Sequence, residues 1–331
     1  MVRFLFVLFI LAVIVAGAFA WESANFSAAG PRAANNAVET DVIIKPRVGL
    51  RGISQALADA GVIENPDLFT IGVRLRSTAA SLKAGEYAIP SRASMYDIMD
   101  VLISGKAIQH KITAAEGLTS DMIAKLVAAD PVLTGEMVAT PAEGSLLPET
   151  YLFTRGTTRA DIIARMQKAQ KGLLAKLWTR RAADLPFKTP EEAIILASIV
   201  EKETSLPDER RHIAAVFVNR LRMGMKLQSD PTIIYTISGG YPLGRGIRES
   251  ELVQPTTYNT YVIFGLPPTP ICNPGKDSIQ AVLNPGTSKD LYFVASGNGG
   301  HVFSADIADQ AKNVAALRAR ERAEKVGAGH N

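Results

Sequence analysis

The 331-residue chain is 47% hydrophobic and 21% charged, enough for a sizeable core and a length suited to one or two folded domains. A net charge of +4 with no basic block gives nucleic-acid binding no support, and a pI near 9.1 is only a weak sign of an anionic partner such as a membrane or a wall polymer. One cysteine excludes an internal disulfide, and four scattered histidines give no metal-ligand spacing, so neither a metal nor a cofactor is expected.

In chain order, Phe4 to Ala20 carries no charged or polar side chain and follows Arg3. Its length is near the lower limit of the about 17–25 residues that cross a bilayer. Trp21 suits the interface, and the leading positive charge places the N-terminus in the cytoplasm with the remainder outside. Ala18-Phe19-Ala20 also resembles a signal-peptide cleavage site, but the apolar run exceeds a usual signal core, which favours a retained anchor over residues 1–21. Both readings export the rest of the chain.

Residues 22–40, rich in small and polar side chains, read as a flexible tether. From Asp41 the pattern predicts a strand, helices over Ile53–Gly61 and Pro66–Arg76, a strand pair around Gly85, and a helix capped by Ser94 and stopped at Gly105. Residues 41–110 thus form a compact α+β module. The remaining 111–331 read as a helix-rich domain with small β elements, giving an α+β class overall. Its helices are expected at Arg159–Ala175, Glu191–Glu203, Pro207–Met223 and Asp306–Lys325, with a hairpin across Gly297–Gly300.

The most informative helix is Thr189–Thr204. Thr189 caps it, Pro190 suits its first position and Glu192 completes a capping box. Ile194 to Val200 is then apolar except for Ser198, as in a buried helix. Glu201 shares the face of Ile194 and Ala197. A carboxylate there must be neutral, paired or functional, and a neutral carboxylic acid near pH 7 is what a general acid needs to be. From the residues alone, Glu201 is either a proton donor or a buried salt-bridge partner, of Arg220 for example. Glu203, about opposite on the helix, reads as solvated surface or a structural ion pair.

Further polar clusters interrupt the apolar second half: Asn219-Arg220, Leu227-Gln-Ser-Asp-Pro-Thr232, and Tyr258-Asn-Thr-Tyr261 followed by Gly265-Leu-Pro-Pro268. Together with Ala-Ser-Ile-Val-Glu-Lys-Glu-Thr, Val-Phe-Val-Asn-Arg-Leu, Gly-Ser-Leu-Leu-Pro-Glu-Thr-Tyr and Leu-Tyr-Phe-Val-Ala…Gly-Gly-His-Val-Phe, these strings resemble, in order, the endolytic murein transglycosylase family, the MltG or YceG-like proteins. Leu147 and Glu149 depart from it, standing where the family often has an aromatic residue and Asp.

The resemblance implies a membrane anchor, a LysM-like module at 41–110 and a catalytic domain at 111–331. That domain would cleave the β-1,4 bond between N-acetylmuramic acid and N-acetylglucosamine in nascent glycan strands, leaving 1,6-anhydro ends. It assigns catalysis to the first glutamate of Glu-Lys-Glu-Thr, Glu201. One carboxylic acid suffices because the attacking group is the sugar's own 6-hydroxyl, whereas ordinary glycosidases need two carboxylates. Gln228, Asn219, Asp230, Tyr258, Asn259 and Tyr261 are the candidate substrate contacts. Capping explains Asp230 equally well, and core packing nearly as well explains the tyrosines. His301 reads as a hairpin residue, and Cys272 as a small loop residue. Implied partners are glycan strands, the cytoplasmic membrane, penicillin-binding proteins and other wall-building machinery. The alternatives are a hydrolytic muramidase, with Glu149 or Asp230 as second carboxylate, and a non-catalytic wall-binding scaffold.

Overall fold

The computed structural model describes residues 2–136 and 139–328. The chain is mixed α+β and divides into two compact units, one of Met1–Lys111 with Leu152–Thr157, the other of Ile112–Tyr151 with Thr158–Asn331.

The first unit opens with α1 (Val2–Phe26), whose apolar residues are exposed as far as Trp21. It is the one helix among the described residues long and apolar enough to cross a membrane. The helix runs six residues past the apolar stretch, into the segment expected as a tether. Strand β1 (Glu39–Ile44), α2 (Leu50–Asp59), α3 (Pro66–Leu75), β2 (Gly85–Pro90) and α4 (Met95–Ser104) follow. Phe26 is buried against Phe69, and the Arg76 guanidinium lies over its ring. Buried Glu22 pairs with Arg76 at 2.8 Å. A Cβ at Gly72 would come within 2.3 Å of the Phe26 ring, so the glycine is what admits it.

The predicted strand pair around Gly85 is not formed. Gly85 instead begins a single strand that pairs antiparallel with β1, Val42 opposite Tyr87, because that register turns Val42, Ile44, Tyr87 and Ile89 onto α2, α3 and α4. The Ser94 capping box and a left-handed Gly105 bound α4 where the sequence places its ends.

Strand β3 (His110–Thr113) pairs with β4 (Thr150–Phe153), and the division of the chain falls within both. The second unit adds α5 (Ser120–Ala129), α6 (Arg159–Trp178), α7 (Pro190–Glu203), α8 (Pro207–Arg222), α9 (Asp230–Ser238), the single turn α10 (Glu249–Leu252) and α11 (Lys276–Leu283). Hairpin β5 (Tyr292–Ala295) and β6 (His301–Ser304) leads into α12 (Ile307–Ala328).

The core of this unit gathers around α7, with α8 and α11 packed on it. Leu196, Ala197, Ile199, Val200, Ile213, Phe217, Ile279 and Val282 are all but fully enclosed. Helix α11 was not anticipated: it is short, and its N-cap is Gly275 with no side-chain cap, so no start signal precedes it. Fully buried Asn273 ties three loops together. Its carboxamide donates to Leu118 O (3.1 Å) and Ser120 Oγ (3.0 Å) and accepts from Leu146 N–H (2.9 Å).

Candidate active site

Residues two apart on a helix point about 200° away from each other. The C-terminal turn of α7 therefore sends Glu201 and Glu203 into different surroundings.

Glu201 is buried as expected, its side chain 6% exposed. Its neighbours are polar rather than apolar. Oε2 accepts the Gly275 N–H at 2.9 Å, and Oε1 lies 3.8 Å from the Arg210 guanidinium. Arg210, not Arg220, is the cation here. It also faces Glu116 (3.6 Å) and Asp277 (3.7 Å), so three carboxylates share one guanidinium. Burial and then the Glu201 charge push the Glu116 carboxyl above its ordinary value. A Cβ on Gly275 would fall 1.8 Å from Glu116 Oε1, so only glycine lets that carboxyl lie across the loop. A pocket of about 290 Å³ opens beside Arg210 and Asp277, and Glu116 lines another of about 440 Å³.

Glu203 is half-buried and accepts a hydrogen bond from Ser229 Oγ. Burial pushes its carboxyl up to about 7; the Ser229 bond opposes this, the Asp230 charge adds to it, and the charges of His301 and Arg220 pull it back. Tyr261 donates to Asp230 Oδ1 at 2.6 Å, and burial with that bond raises its phenol far above the ordinary value. Gln228 is exposed next to Ser229 and has φ +50, a left-handed conformation unusual for a residue with a side chain. Thr260, fully buried, holds this loop: its carbonyl accepts the Gln228 N–H (3.1 Å) and its hydroxyl the Ser229 N–H (2.9 Å).

Two expected contacts, Asp230 and Tyr261, thus come together near Glu203, while the exposed Gln228 side chain accepts from Arg220 (3.4 Å). The others bond within the fold. Asn219 donates to Ser288 O (2.9 Å) and Asp290 O (3.1 Å). Buried Asn259 donates to the carbonyls of Glu251, Leu252 and Gln254. Both carboxamide NH2 groups are engaged by backbone carbonyls, and substrate contact stays the expectation for these two residues. Tyr258 bonds Thr269 Oγ1 (2.7 Å) and packs on Tyr235. Arg220, nearly buried, clamps Leu291 O and Leu227 O, each at 2.6 Å. Buried Cys272 bonds Ser198 O, and burial pushes its thiol well up, which suits a packing role.

The sequence under-read Glu203. The sequence reads Glu203 as solvated surface or a structural ion pair, whereas Ser229 of the loop 228–230 hydrogen-bonds to it, and no periodicity in α7 reports that. Arg210 and Glu116 went unmarked as well; the run Glu116-Gly117 and the lone Gly275 were the available signals.

The profile of the YceG-like family matches residues 42–316. Endolytic murein transglycosylase of Streptococcus pneumoniae is 29% identical over 354 aligned residues, covering 92% of this chain and 63% of that protein. The protein of the same name from Bacillus subtilis is 27% identical over 332 residues, covering 91% of this chain and 90% of that one. The chain therefore spans less than two thirds of the pneumococcal relative but most of the bacillar one. A crystal structure of a yceG-like protein from Listeria monocytogenes matches with TM-score 0.51 and 30% identity, over 83% of this chain and 98% of that chain. With so long a stretch matched in order, the chain belongs to the YceG-like family.

Proposed function

We propose that this chain is a membrane-anchored lytic transglycosylase of peptidoglycan in which Glu203 is the proton donor. The relatives from S. pneumoniae and B. subtilis, named endolytic murein transglycosylases, support the reaction. The observation that carries the residue is the Glu203 carboxyl, raised to about 7 by burial, bonded to Ser229 and close to Asp230 and Tyr261. A carboxylic acid half protonated near neutral pH can both give and take a proton.

Glu203 protonates the oxygen between N-acetylmuramic acid and N-acetylglucosamine, and the bond to the anomeric carbon breaks. The positive charge that develops on the sugar faces the new carboxylate. That carboxylate then takes the proton of the muramic 6-hydroxyl as its oxygen closes on the anomeric carbon, giving a 1,6-anhydro end and restoring the acid. No water is consumed and no second carboxylate is needed. Gln228 and Tyr261 are the proposed sugar contacts, with Asp230 orienting Tyr261. The α1 helix serves as a single-pass anchor with the folded units on the outer side of the cytoplasmic membrane. The first unit is a LysM-like module, and wall-synthesis proteins, penicillin-binding proteins among them, are the protein partners.

A second reading keeps Glu201 as the acid; the pockets beside Arg210 and Glu116 favour it. Digestion of purified glycan strands, with mass analysis of the ends, separates the two. Glu203→Gln is expected to abolish anhydro ends while Glu201→Gln retains them. The reverse outcome transfers the role to Glu201, and ends one water heavier make the enzyme a hydrolase.

A further inference from the structure

Helix α1 does not end where its apolar stretch ends. Trp21 is 63% exposed, and the next residue, Glu22, is 4% exposed because it is already packed into the first unit. The helix runs unbroken from Val2 to Phe26, so its docked segment begins one residue, about 1.5 Å of helix rise, past the tryptophan suited to the membrane interface. Three contacts fix it there. Glu22 pairs with Arg76 at 2.8 Å. The Phe26 ring stacks on Phe69 with centroids 5.9 Å apart, and it fills the slot left by Gly72 with the Arg76 guanidinium 4.2 Å from its centre. Freeing Glu22 from Arg76 would leave a buried carboxylate without its cation, so the joint resists opening.

Every partner in this joint belongs to α3 or caps it. Glu22, the residue nearer the apolar stretch, reaches Arg76 at the C-terminal end of α3; Phe26, one turn farther on, reaches Phe69. The last turn of α3 is thereby held at the level where α1 leaves the bilayer. Leu68, Phe69, Gly72 and Val73 are buried, and the outer side of α3 carries Ile71, Arg74 and Leu75, which share a face at i, i+3 and i+4. Ile71 is 50% and Leu75 52% exposed, with the exposed Arg74 on the same stripe. Asp67, one turn back on that side, lies at the end of α3 away from Arg76. Two aliphatic side chains with a guanidinium beside them suit the boundary of a bilayer: the aliphatics enter the acyl edge and the arginine pairs with lipid phosphates.

We propose that the first unit rests on the outer leaflet of the membrane that α1 spans, through Ile71, Arg74 and Leu75, so that anchor and unit move as one body. The occupant of this face follows from its place, because the bilayer that surrounds α1 up to Trp21 ends one residue from the joint with α3. The inference rests on α1 being the anchor proposed above and is independent of which glutamate donates the proton.

The test reads depth for the full chain in vesicles of phosphatidylethanolamine and phosphatidylglycerol. Ala12→Cys, Gln55→Cys and Leu75→Cys are made one at a time in a Cys272→Ala background and coupled to a fluorophore, and the lipids carry a nitroxide either at mid-chain or on the headgroup. The label at position 12 is expected to be quenched from mid-chain. The label at position 75 is expected to be quenched from the headgroup several-fold more than the one at position 55, which is exposed on α2. Equal headgroup quenching at 75 and 55, with 12 quenched, overturns the proposal and leaves the anchor standing. Absence of quenching at 12 removes the anchor reading itself. Disulfide-linked dimers formed through Leu75→Cys before labelling would assign the face to a second copy and likewise overturn it. Phe26→Ala empties the Gly72 slot and is expected to lower quenching at 75 towards the value at 55 while 12 is unchanged. Undiminished quenching at 75 in that variant would overturn the rigid joint, and should the variant not fold, the three labels in the native joint still decide.

Discussion

Glu201 and Glu203 leave the same turn of one helix and meet opposite fates. Glu201 finds a guanidinium, a backbone N–H and two further carboxylates; Glu203 finds a serine hydroxyl and a nearby aspartate, and its own burial disfavours its charge. The first carboxylate has partners for its charge, and the second is better off neutral. Two acids of identical chemistry are thus separated by their neighbours, and the proposal that Glu203 is the proton donor rests on that separation.

The sharpest way to break this contrast is the pair of amides. Glu203→Gln is expected to lower the rate of anhydro-end formation by about 100-fold or more, the usual worth of a general acid, and Glu201→Gln by less than about tenfold. Equal losses in single-turnover assays would erase the distinction.

The two variants should also differ in stability. Folded Glu203 keeps its proton up to about 7, against an ordinary 4.5. The folded state therefore binds the extra proton between those values; the stabilisation is complete below 4.5 and lost as pH rises through about 7. At pH 8 the wild type carries a buried carboxylate that Gln lacks. Glu203→Gln should then be the more stable protein, by at most about 3 kcal/mol, with the gain vanishing near pH 4. Melting curves at the two pH values check this, and a gain independent of pH would contradict it.

On the other side of α7, Arg210→Met leaves Glu201 buried without its cation. A loss of about 2–3 kcal/mol is expected in denaturant titration, short of the full cost of a broken buried pair because the contacts are long and Glu116 and Asp277 are partly solvated. The smallest effect is at Gln228. Glycine there relieves a left-handed backbone and should stabilise the protein by about 1 kcal/mol while lowering activity several-fold. Activity unchanged in Gln228→Gly would mean that the side chain touches no substrate.

Much of the fold was legible. The caps at Ser94 and Thr189 lie where the helices begin, and Ile194 and Leu196 to Val200 are buried as their pattern requires. The strand at Gly85 was misread because a glycine between two short apolar runs looks the same whether the chain turns back or continues, and its partner β1 lies some forty residues upstream. The tether was misread at its start for a related reason. Trp21 to Phe26 resembles a linker by composition, yet Gly72 opens a slot for Phe26 and Arg76 supplies a partner for Glu22, both from about fifty residues away.

The site divides along the same line. Its strings announced themselves, and Asp230 and Tyr261 meet in a hydrogen bond. Asn219 and Asn259 donate to backbone carbonyls, a role a sequence cannot tell from sugar binding because the residue is the same in both.

The sequence by itself determined the apolar leading helix, the ends of α4 and α7, the buried face of α7, and a carboxylate pair at its end, because these follow from local spacing and capping. Only the tertiary structure decided which of those carboxylates meets a guanidinium and which a serine hydroxyl beside an aspartate. Proton affinity depends on burial and on charges a few ångströms away, and those neighbours come from segments far along the chain.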